Sequence, residues 1–172
     1  IEPPERLEIE DPVSSQEVSA LLLAAAAFPS PREVVVRGTI PSAPYVAMTR
    51  AVLSRFGVHT EESVLDERRS FAFAGSLRAP SAPLSIEPDA SLAAVALAAA
   101  CLSGGELEVP GLGTDSIQGD ARGLEHFRAL GWTLVRGTST AVRGGEARAA
   151  RLELGATPDL APVFAVLAAL SL

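Results

Sequence analysis

Residues 89–109 read DASLAAVALAAACLSGGELEV. An acid stands in front of a long apolar run, and a glycine pair stands behind it. Asp89 is a residue type that caps helix N-termini, and Gly104-Gly105 is a stop signal, so the run between them predicts a helix over Ala90–Leu102. Glu106–Val109 alternates and predicts a strand directly after it. The same signals occur about 74 positions earlier: Ala24–Ala26 falls on Ala98–Ala100 and Gly57 on Gly131. Glu33-Val34-Val35-Val36 lies one step off that register, against Glu106-Leu107-Glu108-Val109. Repetition at a fixed period marks a repeated supersecondary unit.

Working outward, Arg6–Glu10 predicts a strand. Val18, Leu21, Leu22, Ala25 and Phe28 recur at helical spacing, in a helix from Ser14 or Ser15 to near Phe28, before Pro29 and Pro31. Glu33–Arg37 is a strand. Ser42-Ala43-Pro44 starts a second helix, running to Phe56 with Gly57 as its C-terminal cap. Val58–Leu65 and Arg69–Ala74 are strands, and Ser76–Pro83 is a Pro/Ser-rich connector. The pattern then restarts. Leu84–Glu87 is a short strand, followed by the Ala-rich helix and Glu106–Val109. Asp120 caps a helix to Leu130, with Gly131 behind it. Trp132–Arg136 and Thr140–Arg143 are two more strands, Arg151–Leu154 begins a third round, and Thr157-Pro158-Asp159 opens another helix. The order strand, helix, strand, helix, strand, strand, repeated, predicts an α/β (α+β) fold. The Ala-rich helices are apolar all round and are expected to be buried against sheets.

Composition narrows the function classes. The chain has 172 residues, 48% of them hydrophobic and 20% charged, which excludes a disordered polypeptide. A net charge of -7 counts against nucleic acid as a partner. The longest apolar stretches, Leu92–Leu102 and Leu160–Leu170, fall short of the ~20 residues that span a bilayer, so no membrane is expected. The acidic, proline-containing start Ile1–Glu10 is not a signal peptide. The single cysteine, Cys101, makes a cytoplasmic location the expectation. Lys and Asn are absent, and all 14 cations are Arg, as in a chain from a GC-rich genome. The chain begins at Ile1, has its only methionine at Met48 and stops inside an apolar run, so it is expected to be a piece of a longer protein.

Few positions carry chemistry by residue type alone. Ser14-Ser15-Gln16 sits at a helix start, where free N–H groups and the positive dipole end suit a phosphate or carboxylate. A plain N-cap gives the same pattern. Ser42 and Tyr45 bracket the second helix start. Asp159 lies near a third, where a carboxylate is stabilised by the dipole or simply caps. Asp115-Ser116-Ile117-Gln118-Gly119-Asp120 is a polar loop. His59 and His126 have no acid or Cys at ligand spacing, so no metal is expected. Cys101 reads as a small buried hydrophobe. Gly104-Gly105 and Gly144-Gly145 lack phosphate-loop spacing.

Five segments, in order, resemble EPSP synthase (3-phosphoshikimate 1-carboxyvinyltransferase). They are Val13-Ser14-Ser15-Gln16; Ser42-Ala43-Pro44-Tyr45 with Met48-Thr49; Glu87-Pro88-Asp89-Ala90-Ser91; Asp115-Ser116-Ile117-Gln118-Gly119-Asp120; and Pro158-Asp159. The resemblance implies βαβαββ units of the inside-out barrel type, in two domains around a cleft. Residues 1–80 would be the last unit of one domain, and 81–172 the first one and a half units of the other. It implies that Ser14 and Ser15 hold the phosphate of shikimate-3-phosphate, with Ser42 and Tyr45 as further contacts on that side. Gln16 would pack on the shikimate ring and touch phosphoenolpyruvate. Asp159 would bind shikimate hydroxyls and take the proton of the attacking 5-hydroxyl. No cofactor is expected, and the full-length enzyme is expected to be a monomer.

Departures accompany the resemblance. Family members are more than twice this length and use lysines and arginines around phosphoenolpyruvate, whereas this chain has no lysine. Members often carry a basic residue at the position of Ala43 and Gly at that of Pro88. The chain alone is therefore expected to be inactive. The alternatives are UDP-N-acetylglucosamine enolpyruvyl transferase, which keeps a reactive Cys in a loop, and a non-catalytic relative that retains only the fold. RNA-terminal phosphate cyclase shares the unit architecture, but the acidic charge counts against it.

Overall fold

The structure, a computed structural model, describes residues 4–27 and 33–170. It divides into two compact units, Ile1–Leu84 and Ser85–Leu172. Both mix helices with sheets.

The first unit follows the expected order. Strand β1 (Arg6–Glu10) leads to helix α1 (Ser15–Ala26), strand β2 (Glu33–Arg37) and helix α2 (Pro44–Arg55). Strands β3 (Val58–Leu65) and β4 (Arg68–Gly75) form a hairpin. The sheet order is β1-β2-β4-β3, with β1 and β2 parallel and the other pairs antiparallel. A parallel pair requires a crossover, which α1 supplies. Val18, Leu22 and Ala25 of α1 pack with Val46 and Leu53 of α2 and with Val34, Val36, Phe71 and Phe73 of the sheet. Each fully buried Leu or Phe there stabilises the unit by roughly 1.5–3 kcal/mol. Arg50 ties α2 to the hairpin. Its guanidinium donates to Thr60 Oγ1 (2.7 Å) and the Thr60 carbonyl (3.0 Å), pairs with Glu62, and lies 5.3 Å from the Phe71 ring centre.

Helix α1 ends at Ala26, and the expected end at Phe28, with Pro29 and Pro31, lies outside the described residues. Gly57 follows α2 at φ +84°. Ser42 does not cap α2: it sits at φ +51°, and the residue at the cap position, Ala43, makes no side-chain bond. Pro44, whose missing N–H costs nothing in a first turn, starts the helix instead.

The second unit contains α3 (Ala90–Ser103), β5 (Glu106–Pro110), α4 (Gly119–Gly123), α5 (His126–Ala129), β6 (Trp132–Arg136), β7 (Ser139–Gly145), a 3-10 turn at Pro158–Leu160 and α6 (Ala161–Leu170). Its sheet has the order β5-β7-β6 and is wholly antiparallel. Three expectations fail here. Leu84–Glu87 forms no strand, so among the described residues this sheet lacks a counterpart of the parallel pair. Pro83 and Pro88 flank this segment, and prolines supply no N–H donor to a ladder. Arg151–Leu154 alternates, with Leu152 and Leu154 packed against the core, yet pairs with no described strand. The helix expected from Asp120 to Leu130 is split. It starts at Gly119 after Gln118 and tightens at Leu124 and Glu125, where N–H groups reach back three residues: Glu125 to Arg122 (3.2 Å) and Phe127 to Leu124 (3.1 Å).

Asp89 does cap α3: its side chain accepts the Leu92 N–H at 2.9 Å, and Gly104 ends the helix in the left-handed conformation. The expectation that an all-apolar helix is buried all round is corrected. Ala90, Ala94 and Leu97 are buried, but Leu92 is 69% and Val95 52% exposed. One face of α3 meets sheet and α6, and none of the described residues of this unit covers the other.

Candidate functional site

In the first unit, α1 leaves the C-terminal end of β1 and α2 leaves that of β2. Since β1 and β2 are parallel, both helices begin at the same edge of the sheet. Their N-termini, the positive dipole ends of the two helices, therefore share that edge.

Ser14 is the N-cap of α1, in an extended conformation (φ −152°, ψ 148°), and its Oγ accepts the Gln16 N–H at 3.1 Å. The Glu17 side chain accepts the Val13 N–H at 2.8 Å, so the turn is closed from both directions. Ser15 is buried, and Gln16 is exposed. At α2, Ser42 and Tyr45 are half-buried, and the Tyr45 N–H donates to the Ser42 carbonyl (3.1 Å). A hydroxyl pair joins the helices: Thr49 Oγ1 donates to the Tyr45 carbonyl (3.0 Å) and takes up Ser19 Oγ of α1 at 2.9 Å. Ser14, Ser15, Gln16, Ser42 and Tyr45 thus belong to one unit and two tied helices. Asp159 lies in the second unit, exposed on the Pro158–Leu160 turn.

A concavity of about 530 Å3 lies at that strand edge, lined by Glu10, Asp11, Arg37, Gly38, Leu65, Asp66, Glu67 and Arg68. None of the candidate residues lines it, and its four carboxylates oppose an anionic ligand.

The loop that sequence left without a role turns out to be a clamp. Gln118 Oε1 accepts the Ala90 N–H (2.8 Å), and its Nε2 donates to the Pro88 carbonyl (2.8 Å). Ser91 Oγ donates to Asp120, and the Ile117 N–H to Glu87 (3.3 Å). Glu87–Ser91 and Ser116–Asp120 therefore hold each other. The sequence signal for this was only that both segments are polar and precede helices. Burial pushes the Cys101 thiol up to about 12, with a backbone hydrogen bond opposing in part. Cys101 is thus an inert core thiol, unlike a reactive loop cysteine. Among the described residues no cluster of His, Cys, Asp or Glu could hold a metal. No described helix is long and apolar enough to cross a membrane.

Taken together, fold and helix starts define a mixed α/β protein in which two helices of one unit begin at the same end of their sheet. Comparison with known proteins narrows that class. The model of the EPSP synthase (3-phosphoshikimate 1-carboxyvinyltransferase) family matches residues 3–172, and the chain belongs to that family. It is similar to the 3-phosphoshikimate 1-carboxyvinyltransferases of Nitrosomonas europaea (34% identical over 96% of the chain and 39% of the relative) and Idiomarina loihiensis (36%, over 96% and 38%). That of Herminiimonas arsenicoxydans is 35% identical over 95% of the chain and 38% of the relative. The chain thus spans less than two-fifths of the length of these relatives.

Proposed function

We propose that the chain is the central segment of an EPSP synthase, a cytoplasmic enzyme of the shikimate pathway. The enzyme transfers the enolpyruvyl group of phosphoenolpyruvate to the 5-hydroxyl of shikimate-3-phosphate. Residues 1–80 form the last βαβαββ unit of one inside-out barrel domain, and 81–172 begin the other. The observation that supports this reading is the shared end of the sheet at which α1 and α2 start, with Ser14, Ser15 and Gln16 at the start of one helix and Ser42 and Tyr45 at that of the other.

The residues act as follows. Ser14, Ser15 and the N–H groups of the α1 start take the 3-phosphate, with Ser42 and Tyr45 alongside. Gln16, exposed on the next position, faces the ring and phosphoenolpyruvate. Asp159 holds shikimate hydroxyls and accepts the 5-hydroxyl proton as that oxygen bonds C2 of phosphoenolpyruvate. In that addition the C2=C3 double bond breaks and C3 takes a proton. A C3 proton is then lost as the double bond re-forms and phosphate leaves C2, the group that moves the C3 proton lying in the remainder of the enzyme. The cations that neutralise phosphoenolpyruvate are supplied by the remainder of a monomeric enzyme, and no cofactor takes part.

The experiment is calorimetric titration of shikimate-3-phosphate into the full-length enzyme and its Ser15→Ala variant. A loss of roughly 1–2 kcal/mol, the scale of one charge-assisted hydrogen bond, is expected. Unchanged affinity removes Ser15 from the site.

A further inference from the structure

We infer that Gly123 is a positioning residue for Asp159, an inference that rests on the role proposed for Asp159 above. The 3-10 turn Pro158–Leu160 has two anchors, one on each side of Asp159. Thr157 and Leu160 are both buried, and the Leu160 N–H closes the turn on the Thr157 carbonyl at 3.1 Å. Both anchors rest on Gly123 of α4. A methyl group on Gly123 would stand 2.5 Å from Leu160 Cδ1, 3.1 Å from Thr157 Oγ1 and 3.3 Å from Thr157 Cβ. Contacts this short force a shift. A free leucine tip would rotate away, but Leu160 has no exposed surface and packs among Leu124, Phe127 and Phe164. The other side cannot yield either. Helix α4 is held to the start of α3 by Ser91–Asp120 and by Gln118 on Ala90 and Pro88. The strain therefore falls on the turn itself, and the carboxylate between its two anchors moves. Gly123 does not need its backbone freedom here; it is helical, and what matters is its missing side chain.

The test uses the full-length enzyme and four variants: Gly123→Ala, Leu160→Ala, the double Gly123→Ala/Leu160→Ala, and Asp159→Asn. Turnover is expressed per shikimate-3-phosphate site titrated by calorimetry, so loss of folded protein does not enter. Gly123→Ala is expected to lower kcat about 10- to 100-fold, the usual effect of a catalytic group misplaced by about 1 Å, with KM for phosphoenolpyruvate unchanged. In the double variant, truncation of Leu160 removes the shortest of the new methyl's contacts. It is expected to turn over faster than Gly123→Ala and close to Leu160→Ala. Parental kcat in Gly123→Ala overturns the inference, as does a double variant no faster than the single. If Gly123→Ala does not fold, the double decides: folded and as fast as Leu160→Ala supports the inference, while unfolded or slow overturns it. Asp159→Asn separates the two layers. If it keeps parental kcat, the role of Asp159 itself is wrong. If it is slow while Gly123→Ala is fast, only the positioning by Gly123 is wrong.

Discussion

Ser14, Ser15 and Cys101 show how much a residue's surroundings decide. Ser14 spends its Oγ on the Gln16 N–H, while Ser15, one position on, is buried at the first helical position. Cys101 lies in the apolar interior of α3, where a thiolate is poorly solvated, and its thiol is pushed up to about 12. We expect it to resist alkylation at neutral pH until the protein is unfolded; rapid labelling of native protein by a maleimide contradicts this. The raised value also fixes a pH dependence. Below the unfolded thiol's value of 9.0 both states are protonated and the thiol's contribution to stability is fully present. As pH rises from there toward about 12, only the unfolded state loses its proton, so stability falls. Urea unfolding across this range is expected to show a shallower fall in Cys101→Ala than in the parent. For Asp159, Asn is nearly isosteric but cannot accept a proton. Asp159→Asn in the full-length enzyme is expected to cut turnover strongly while phosphoenolpyruvate affinity holds, and normal turnover places the base elsewhere.

At the scale of elements, pairing and capping separate the predictions that survived from those that did not. Arg6–Glu10, Glu33–Arg37, Val58–Leu65 and Trp132–Arg136 were legible because each has a β-branched or alternating pattern and a partner edge in its own unit. Leu84–Glu87 and Arg151–Leu154 carry similar residues but no described partner, and a strand exists only as one side of a ladder. The Gln118 clamp was illegible because its partners, Pro88 and Ala90, lie 30 and 28 positions away. Gln118→Ala removes both bonds and leaves a partly buried N–H and carbonyl at the start of α3. A loss of about 1–3 kcal/mol in urea unfolding is expected, since an unmade bond at a desolvated group costs more than a made one gains. An equally stable variant reduces the clamp to a surface contact.

For the whole molecule, each unit has its own apolar core, one built on Leu22, Val34 and Phe71, the other on Leu97, Phe127 and Phe164. Each also leaves large apolar side chains in solvent, Leu23 of α1 and Leu92, Val95 and Val166 of α3 and α6 among them. All 14 cations are arginines, and several of the described ones pair within their own unit, such as Arg50 with Glu62 and Arg136 with Glu125. On the function proposed above, the cations around phosphoenolpyruvate come from the remainder of the enzyme. The 172-residue chain by itself is therefore expected to release no phosphate from phosphoenolpyruvate and shikimate-3-phosphate, with a colorimetric phosphate assay as the check. Turnover by the isolated chain overturns the division of labour proposed above.

The sequence by itself determined the α/β class, the order of the elements in the first unit, the helix starts at Ser14, Pro44 and Asp89, and the family. These depend on local chemistry, where periodicity, caps and motif order are encoded within a few residues of one another. Only the tertiary structure decided which predicted strands exist, that α1 and α2 start at one sheet edge, and that the Asp115–Asp120 loop grips α3. It alone shows Gly123 beneath the turn that carries Asp159. Such contacts join residues far apart in the chain, and their energies depend on distance and burial, which no local pattern records.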